Sequence, residues 1–285
     1  IVYYYEVKYN NDKININPDN KIKFTHNNNK DTEYIPAPGT YMHSKRINNV
    51  KISTMKNADC FITVNNEWFH LWSLNKTSIN NNKAAFSQKA STSSLYCIEW
   101  NPHQNQQFMV AGVSKNLKLI DTRELSKNPT NSVPWRVKNA HSNTIKCISW
   151  SPLVSNWVLS CGDDGNIKLW DIRKNNNIPL KTLNLHSNVI NQVKWSKSHP
   201  ELLISSSVDN TVKLWNLRTQ PHHLIYTYHF DGNAIGCDFS SVKPLQYFAL
   251  STSNELRSIE LSPKFTEYFV KHLFNDKIEN TDERN

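Results

Sequence analysis

Apolar and polar residues alternate along this chain in short runs. Ile167-Lys-Leu-Trp170 and Val212-Lys-Leu-Trp215 set a lysine between aliphatic and aromatic neighbours, as a strand buried on one face requires. Ile145-Lys-Cys-Ile-Ser-Trp150 and Trp157-Val-Leu-Ser-Cys161 are equally short and rich in β-branched or aromatic residues. Gly162-Asp-Asp-Gly165 and Val208-Asp-Asn210 close such runs with residues that accept the left-handed conformations tight hairpins need.

These runs recur in register. Trp150 and Trp170 are twenty residues apart, and so are Trp195 and Trp215, Trp100 and Ile120, Phe239 and Ile259, and, with weaker flanks, Ile52 and Trp72. Trp100, Trp150, Trp195 and Phe239 follow one another at 50, 45 and 44 residues. A period of that size predicts units of four short strands. One such unit cannot bury both of its apolar faces, so the units must stack around an axis. The expected fold is all-β: a β-propeller with about five recognisable blades, forming part of a six- or seven-bladed ring. Ile1–Val7 reads as one further, partial N-terminal strand.

The residues within the repeats resemble the WD40 family over roughly 44–261. The resemblance rests on Ala140-His141 followed by Ser160, Asp164, Trp170 and Asp171, and on His186 followed by Ser205, Ser207, Asp209 and Trp215. It implies a hydrogen-bonded tetrad inside each of two blades. His141, Ser160, Asp164 and Trp170 form the first. His186, Asp209 and Trp215 form the second, with a hydroxyl from Ser205 or Ser207, of which Ser207 is assigned. An indole N–H can only donate and a buried aspartate needs donors, so such a set is chemically coherent. The other units depart from the pattern, with Ser114 and Ile120, Ser253 and Ile259, and Asn66 beside His43 and Trp72.

Composition narrows the function classes. The chain has 285 residues, 38% of them hydrophobic, so it can bury a substantial core. No apolar run is long enough to span a membrane and no signal peptide is visible. The chain begins at Ile1 rather than methionine, which reads as a non-native start and leaves the missing targeting segment with little weight. Cys60, Cys97, Cys147, Cys161 and Cys237 fall inside strand patterns without metal-ligand spacing, which points to reduced, buried thiols in a cytoplasmic or nuclear protein. The propeller is expected over 1–261, with residues 10–39 as an asparagine-rich inserted loop with little ordered structure. Residues 262–285 read as a C-terminal helix or strand, with Phe265, Phe269 and Leu273 on one face, followed by a polar tail.

The net charge of +9 invites a nucleic-acid reading. The lysines are dispersed, however: Lys118, Lys168 and Lys213 repeat at one outward strand position, where a solvated rim explains them, and no basic run or RNA-binding aromatic motif occurs. His222-His223 has no cysteine or carboxylate at ligand spacing, and Asp163-Asp164 occupies a turn. No phosphate loop, nucleophile elbow or zinc-protease helix is present among only 6 glycines. No enzyme activity, cofactor, metal or small-molecule substrate is expected.

Trp170-Asp-Ile-Arg173 matches the Trp-Asp-x-Arg box of WD40 substrate receptors in cullin-type ubiquitin ligases, with weaker versions at Ile120–Arg123 and Trp215–Arg218. Arg123, Arg173 and Arg218 are therefore the candidate partner-binding residues, each able to offer a planar fork to a carboxylate or carbonyl. The alternative is that each arginine only caps its own blade. The resemblance implies protein subunits of a larger complex as partners, of the EARP-interacting type in endosomal tethering or the SEA/GATOR type in nutrient signalling. A ligase receptor and a chromatin-associated propeller are the competing readings.

Overall fold

The computed structural model describes residues 47–53, 60–73, 84–125, 132–184, 186–218, 224–243 and 246–260, together with the backbone of four short strands near the N-terminus. Those strands are β1 (Val2–Tyr3), β2 (Glu6–Asn10), β3 (Lys13–Asn17) and β4 (Lys21–Ile22). β2 pairs with β3, and β1 with β4. The expected run Ile1–Val7 is thus divided between β1 and β2. The expectation of a loop over 10–39 needs correction, because β3 and β4 lie inside it. Lys-Ile-Asn-Ile-Asn alternates with period two, and its register pairs Val7 with Ile16 and Tyr9 with Ile14. The asparagine content conceals that alternation. His43, His222-His223 and the C-terminal segment 262–285 lie outside the described residues.

Five antiparallel sheets follow in chain order. The first blade is β5 (Ile47–Ile52), β6 (Cys60–Asn65), β7 (Trp68–Ser73) and β8 (Phe86–Lys89). The second is β9 (Leu95–Trp100), β10 (Gln107–Gly112), β11 (Leu117–Asp121) and β12 (Trp135–Val137), with the single-turn helix α1 (Thr122–Leu125) before its last strand. The third is β13 (Ile145–Trp150), β14 (Trp157–Gly162), β15 (Ile167–Asp171) and β16 (Lys181–Leu183). The fourth is β17 (Ile190–Trp195), β18 (Leu202–Ser207), β19 (Thr211–Asn216) and β20 (Leu224–His229). The fifth has three described strands, β21 (Ala234–Phe239), β22 (Gln246–Ser251) and β23 (Leu256–Glu260). Each of these five sheets is a meander, with each strand paired to its sequence neighbour.

The register explains the twenty-residue spacing. Trp150 pairs with Val158, which pairs with Trp170, and Trp195, Leu203 and Trp215 repeat the row. Trp100, Phe108 and Ile120 do the same, as do Phe239, Tyr247 and Ile259. Each row crosses a blade laterally, so a constant spacing is what a constant hairpin geometry produces. Between strands two and three the turns of all five blades place one residue at positive φ: Asn66, Lys115, Gly165, Asn210 and Asn254. Only Lys115 is not of the type that adopts this region readily.

Burial lies between blades rather than within them. The apolar residues of β9–β12 pack on those of β13–β15, including Met109, Leu119, Trp135, Ile148, Trp150 and Trp170. Comparable layers join the first blade to the second, the third to the fourth and the fourth to the fifth. The inner strands β5, β9, β13, β17 and β21 pack side by side in that order. On the fifth blade, Cys237, Phe239, Tyr247 and Ala249 face the fourth, while Ile235, Phe248, Leu250 and Leu256 are exposed.

All five inner strands carry a bulge at the same place. Ile47 and Asn49, Leu95 and Cys97, Ile145 and Cys147, Ile190 and Gln192, and Ala234 and Gly236 pair with consecutive residues of the second strand. Asn48, Tyr96, Lys146, Asn191 and Ile235 are therefore the extra residues, lifted out of the ladder at the start of each inner strand. Close approach there also explains two glycines. A Cβ on Gly112 would stand 2.2 Å from the Ser94 carbonyl oxygen, and one on Gly162 2.0 Å from that of Thr144.

Candidate functional site

The tetrad of the third blade is assembled as the resemblance implies. The Trp170 Nε1–H donates to Ser160 Oγ at 2.8 Å, and Ser160 Oγ lies 2.7 Å from His141 Nε2. The opposite ring nitrogen, Nδ1, is 2.9 Å from the Asp164 carboxylate. Ser160 has one proton, and Trp170 already donates to its oxygen. With Nδ1–H given to Asp164, the arrangement suits the tautomer in which Nε2 accepts from the Ser160 hydroxyl. Asp164 also accepts from the backbone N–H groups of Ser142 and Asn166. Burial pushes its carboxyl up, but the bonds from His141 and these amides outweigh it and hold Asp164 well below the ordinary carboxylate range.

In the fourth blade the serine differs from the one assigned. His186 Nε2 lies 2.6 Å from Ser205 Oγ, and Trp215 Nε1–H donates to the same oxygen at 2.8 Å. Ser207 instead donates to the Val189 carbonyl at 2.8 Å and accepts from the Asp209 N–H, tightening the turn. The register decides this. Trp215 pairs with Leu203, so the hydroxyl two residues on, at Ser205, shares its face and lies within reach, as Ser160 does beyond Val158. Ser207 is two residues further along. Burial pulls His186 below its ordinary value, against the opposing effect of Asp209. Burial pushes Asp209 up, but hydrogen bonds from Thr211 and His186 leave it depressed.

The first blade contains a partial version that the sequence pattern did not reveal. Trp72 Nε1–H donates to Thr63 Oγ1 at 2.9 Å, and Trp72 pairs with Phe61, two residues before Thr63. Where the tryptophan is replaced, its acceptor is replaced too. Val110 and Ile120 occupy the two positions in the second blade, and Ala249 and Ile259 occupy them in the fifth. Losing both partners for apolar groups is nearly neutral, whereas losing one would strand a buried polar atom.

Two of the three repeated lysines, Lys118 and Lys168, correct another expectation. Lys168 Nζ donates to the Ala140 carbonyl at 2.7 Å, and Lys118 Nζ donates to the Ala90 carbonyl. Ala90 and Ala140 lie just beyond the outer strand of the preceding blade, so these ammonium groups tie blades together; they are not solvated rim charges. Burial, then the nearby Arg136, lowers Lys118 from its ordinary value.

Arg123, Arg173 and Arg218 follow the third strands of successive blades and therefore stand on one rim. Arg173 Nε donates to Asp171 Oδ1 at 3.0 Å and its Nη2 to Oδ2 at 2.7 Å. Arg123 grips Asp121 in the same way, at 2.9 and 2.5 Å. The third box has Asn216 in the aspartate position, and Arg218 turns instead to Glu201 at 2.9 Å. In both forks the carboxylate lies beneath its arginine: side-chain exposure is 4% for Asp171 against 68% for Arg173, and 7% for Asp121 against 55% for Arg123. The guanidinium, chiefly through its hydrogen bonds, draws Asp121 down to about 2 and lowers Asp171 as well. Each arginine thus caps its blade and also presents its outer edge to solvent.

The five cysteines are free thiols. Cys147 and Cys161 are direct partners across β13 and β14. A hydrogen bond from Cys161 lowers Cys147, while burial raises Cys161, Cys97 and Cys237. Among the described residues, no group of three or more His, Cys, Asp or Glu is placed to hold a metal, and no helix is long and apolar enough to cross a membrane.

The family model described as EIPR1 beta-propeller matches residues 55–215. The match begins just before β6 and ends at Trp215, taking in both tetrads and the boxes of Arg123 and Arg173. None of the curated proteins matches the chain.

Proposed function

Because the chain belongs to the EIPR1 beta-propeller family, we propose that it is a non-catalytic scaffold that joins protein subunits into a larger complex, of the kind that serves vesicle trafficking. The family is named for an EARP-interacting propeller, which supports the endosomal-tethering type over the nutrient-signalling type. The observation that carries this reading is where the reactive side chains are spent. Both buried histidine–aspartate pairs fasten blades from inside, with every polar partner another blade residue. No polar group in either tetrad is left over for a substrate, and the exposed chemistry is that of a rim suited to protein contact. Free thiols are consistent with a reducing compartment, the cytoplasm or nucleus.

The test is affinity purification of the protein from its own cells at near-physiological salt, with mass spectrometry of what accompanies it. Stoichiometric recovery of large helical-solenoid or propeller subunits is the expected result. Recovery of the protein alone, from cells where it is abundant, would overturn the scaffold reading. The substrate-receptor reading is favoured by one feature, the exposed forks of Arg123 and Arg173. It requires a cullin adaptor in the same purification, lost on Arg173→Ala and Arg218→Ala together. A chromatin role rests on net charge alone and would require DNA or RNA binding at low salt.

A further inference from the structure

We infer that the arginine rim is a docking surface for an acidic, extended segment of a partner protein, read by Arg123, Arg173 and Arg218 one blade apart. This deepens the scaffold reading and rests on it. The argument starts from the forks. A carboxylate that neutralises an arginine normally shares its exposure, but here Asp121 and Asp171 lie under their guanidinium groups. The aspartates fix the plane of each guanidinium while the remaining N–H edge points outward, so the cation is both oriented and accessible. Their lowered pKa values keep the carboxylates charged and the forks closed across physiological pH.

The surrounding rim agrees in charge and in shape. Lys174, after β15, and Lys197, after β17, are exposed at the same end of the blades. The loops there are tied to one another across blades. His103 Nε2 bonds the Ser151 carbonyl at 3.0 Å, and Trp135 Nε1–H donates to the Lys174 carbonyl at 3.1 Å. A surface already held in place loses little entropy on binding. The exposed apolar side chains at this end among the described residues are aliphatic: Ile52, Leu153, Ile178 and Val242. Exposed aromatic residues lie elsewhere: Trp68 and Tyr96 at the opposite end, Tyr226 and Phe248 within strands. Nucleic acid would be held by stacking as well as charge, and the rim offers no exposed aromatic ring for it among the described residues. Carboxylates interspersed with aliphatic residues match what is present.

The test is fluorescence anisotropy with the full chain and a labelled peptide rich in glutamate and leucine, at low salt of about 50 mM. An oligothymidylate of similar length is the competing probe. The peptide should bind and should weaken as salt rises. Arg123→Gln, Arg173→Gln and Arg218→Gln together should weaken it by about ten-fold or more. Because those substitutions uncover Asp121 and Asp171, a second variant, Lys174→Glu with Lys197→Glu, alters the rim while leaving both guanidinium–carboxylate forks in place. It should weaken binding several-fold while the melting temperature stays put. Lys138→Gln, at the opposite end, should leave binding unchanged. No peptide binding by the parent protein, binding by both rim variants as tight as the parent's, or capture of the oligonucleotide in place of the peptide would each overturn the inference. None of these outcomes bears on co-purification of intact subunits, so the scaffold reading stands or falls separately.

Discussion

Replacing Ser205 or Ser207 by alanine removes one buried hydroxyl two residues from the other, yet the consequences should differ severalfold. Ser205→Ala leaves the Trp215 Nε1–H without an acceptor and His186 Nε2 without a donor, both in the blade interior. Each orphaned group costs about 1–3 kcal/mol, so the sum is about 2–6 kcal/mol, with almost no cavity to add. Ser207→Ala is milder. The Val189 carbonyl keeps the Val208 N–H as donor at 2.9 Å, and only the Asp209 N–H loses its partner, for about 1 kcal/mol. Urea unfolding followed by tryptophan emission separates the two. With a slope on the order of 3 kcal/mol/M, Ser205→Ala should lower the midpoint by about 0.7–2 M and Ser207→Ala by about 0.3 M. If Ser207→Ala lowers it as much as Ser205→Ala does, the tetrad is wired as the sequence alone suggested and the register argument fails.

Acidification should weaken the fold. Folded His186 binds its proton less readily than the unfolded chain, so its contribution is whole above about pH 6.5 and shrinks as pH falls towards its folded value. Asp164 and Asp209 are depressed below 3.8 and remove more stability at still lower pH. Melting temperatures should therefore decline from pH 7 to pH 3, and a rise between pH 7 and 5 would contradict the cost of burying a charged His186. Lys168→Met keeps the aliphatic stem but orphans the Ala140 carbonyl, at a cost of about 1–2 kcal/mol by chemical denaturation; no change would return this lysine to the solvated rim. Gly162→Ala drives a methyl group into the Thr144 carbonyl and should cost about 3 kcal/mol or more, read as a lost or sharply lowered melting transition. Of the cysteines in β9, β13, β14 and β21, Cys147 alone is not fully buried and should alkylate first, as peptide mass mapping would show; equal labelling of Cys161 would contradict that order of access.

The blades were legible because the lateral row from inner to third strand spans a constant stretch of chain, and Trp150, Val158 and Trp170 recur as Trp195, Leu203 and Trp215. The same count could have settled the tetrad serine, since Ser160 precedes Trp170 by ten residues and Ser205 precedes Trp215 by ten. Ser207 was plausible only while neighbouring serines were judged by type rather than by register. Thr63 was hidden because it precedes Trp72 by nine, the first blade having a shorter hairpin. The lysine ties could not be seen in the sequence, because period two shows which side of a strand a residue takes and not whether a neighbouring blade covers that side. The arginines were found from their motif. Their double role, closing over a buried aspartate while facing solvent, depends on relative depth, which no spacing encodes.

The aligned bulges separate two kinds of position that most strands combine. Immediately before each bulge stand Ile47, Leu95, Ile145, Ile190 and Ala234, all aliphatic, as interblade packing demands. The extra residues themselves are Asn48, Tyr96, Lys146, Asn191 and Ile235: amide, phenol, ammonium and alkyl at equivalent places within one chain. A residue outside the ladder has no fixed cross-strand partner to satisfy, so its chemistry can drift without disturbing the register. Freed from the ladder, several of them turn to the neighbouring blade instead: the Asn48 amide donates to the Leu95 carbonyl at 2.7 Å, the Asn191 amide donates to the Ala234 carbonyl at 2.8 Å, and Lys146 lies over the Tyr96 ring. A repeat architecture can therefore use one and the same position as a tie between blades in some repeats and as open surface, as at Ile235, in others.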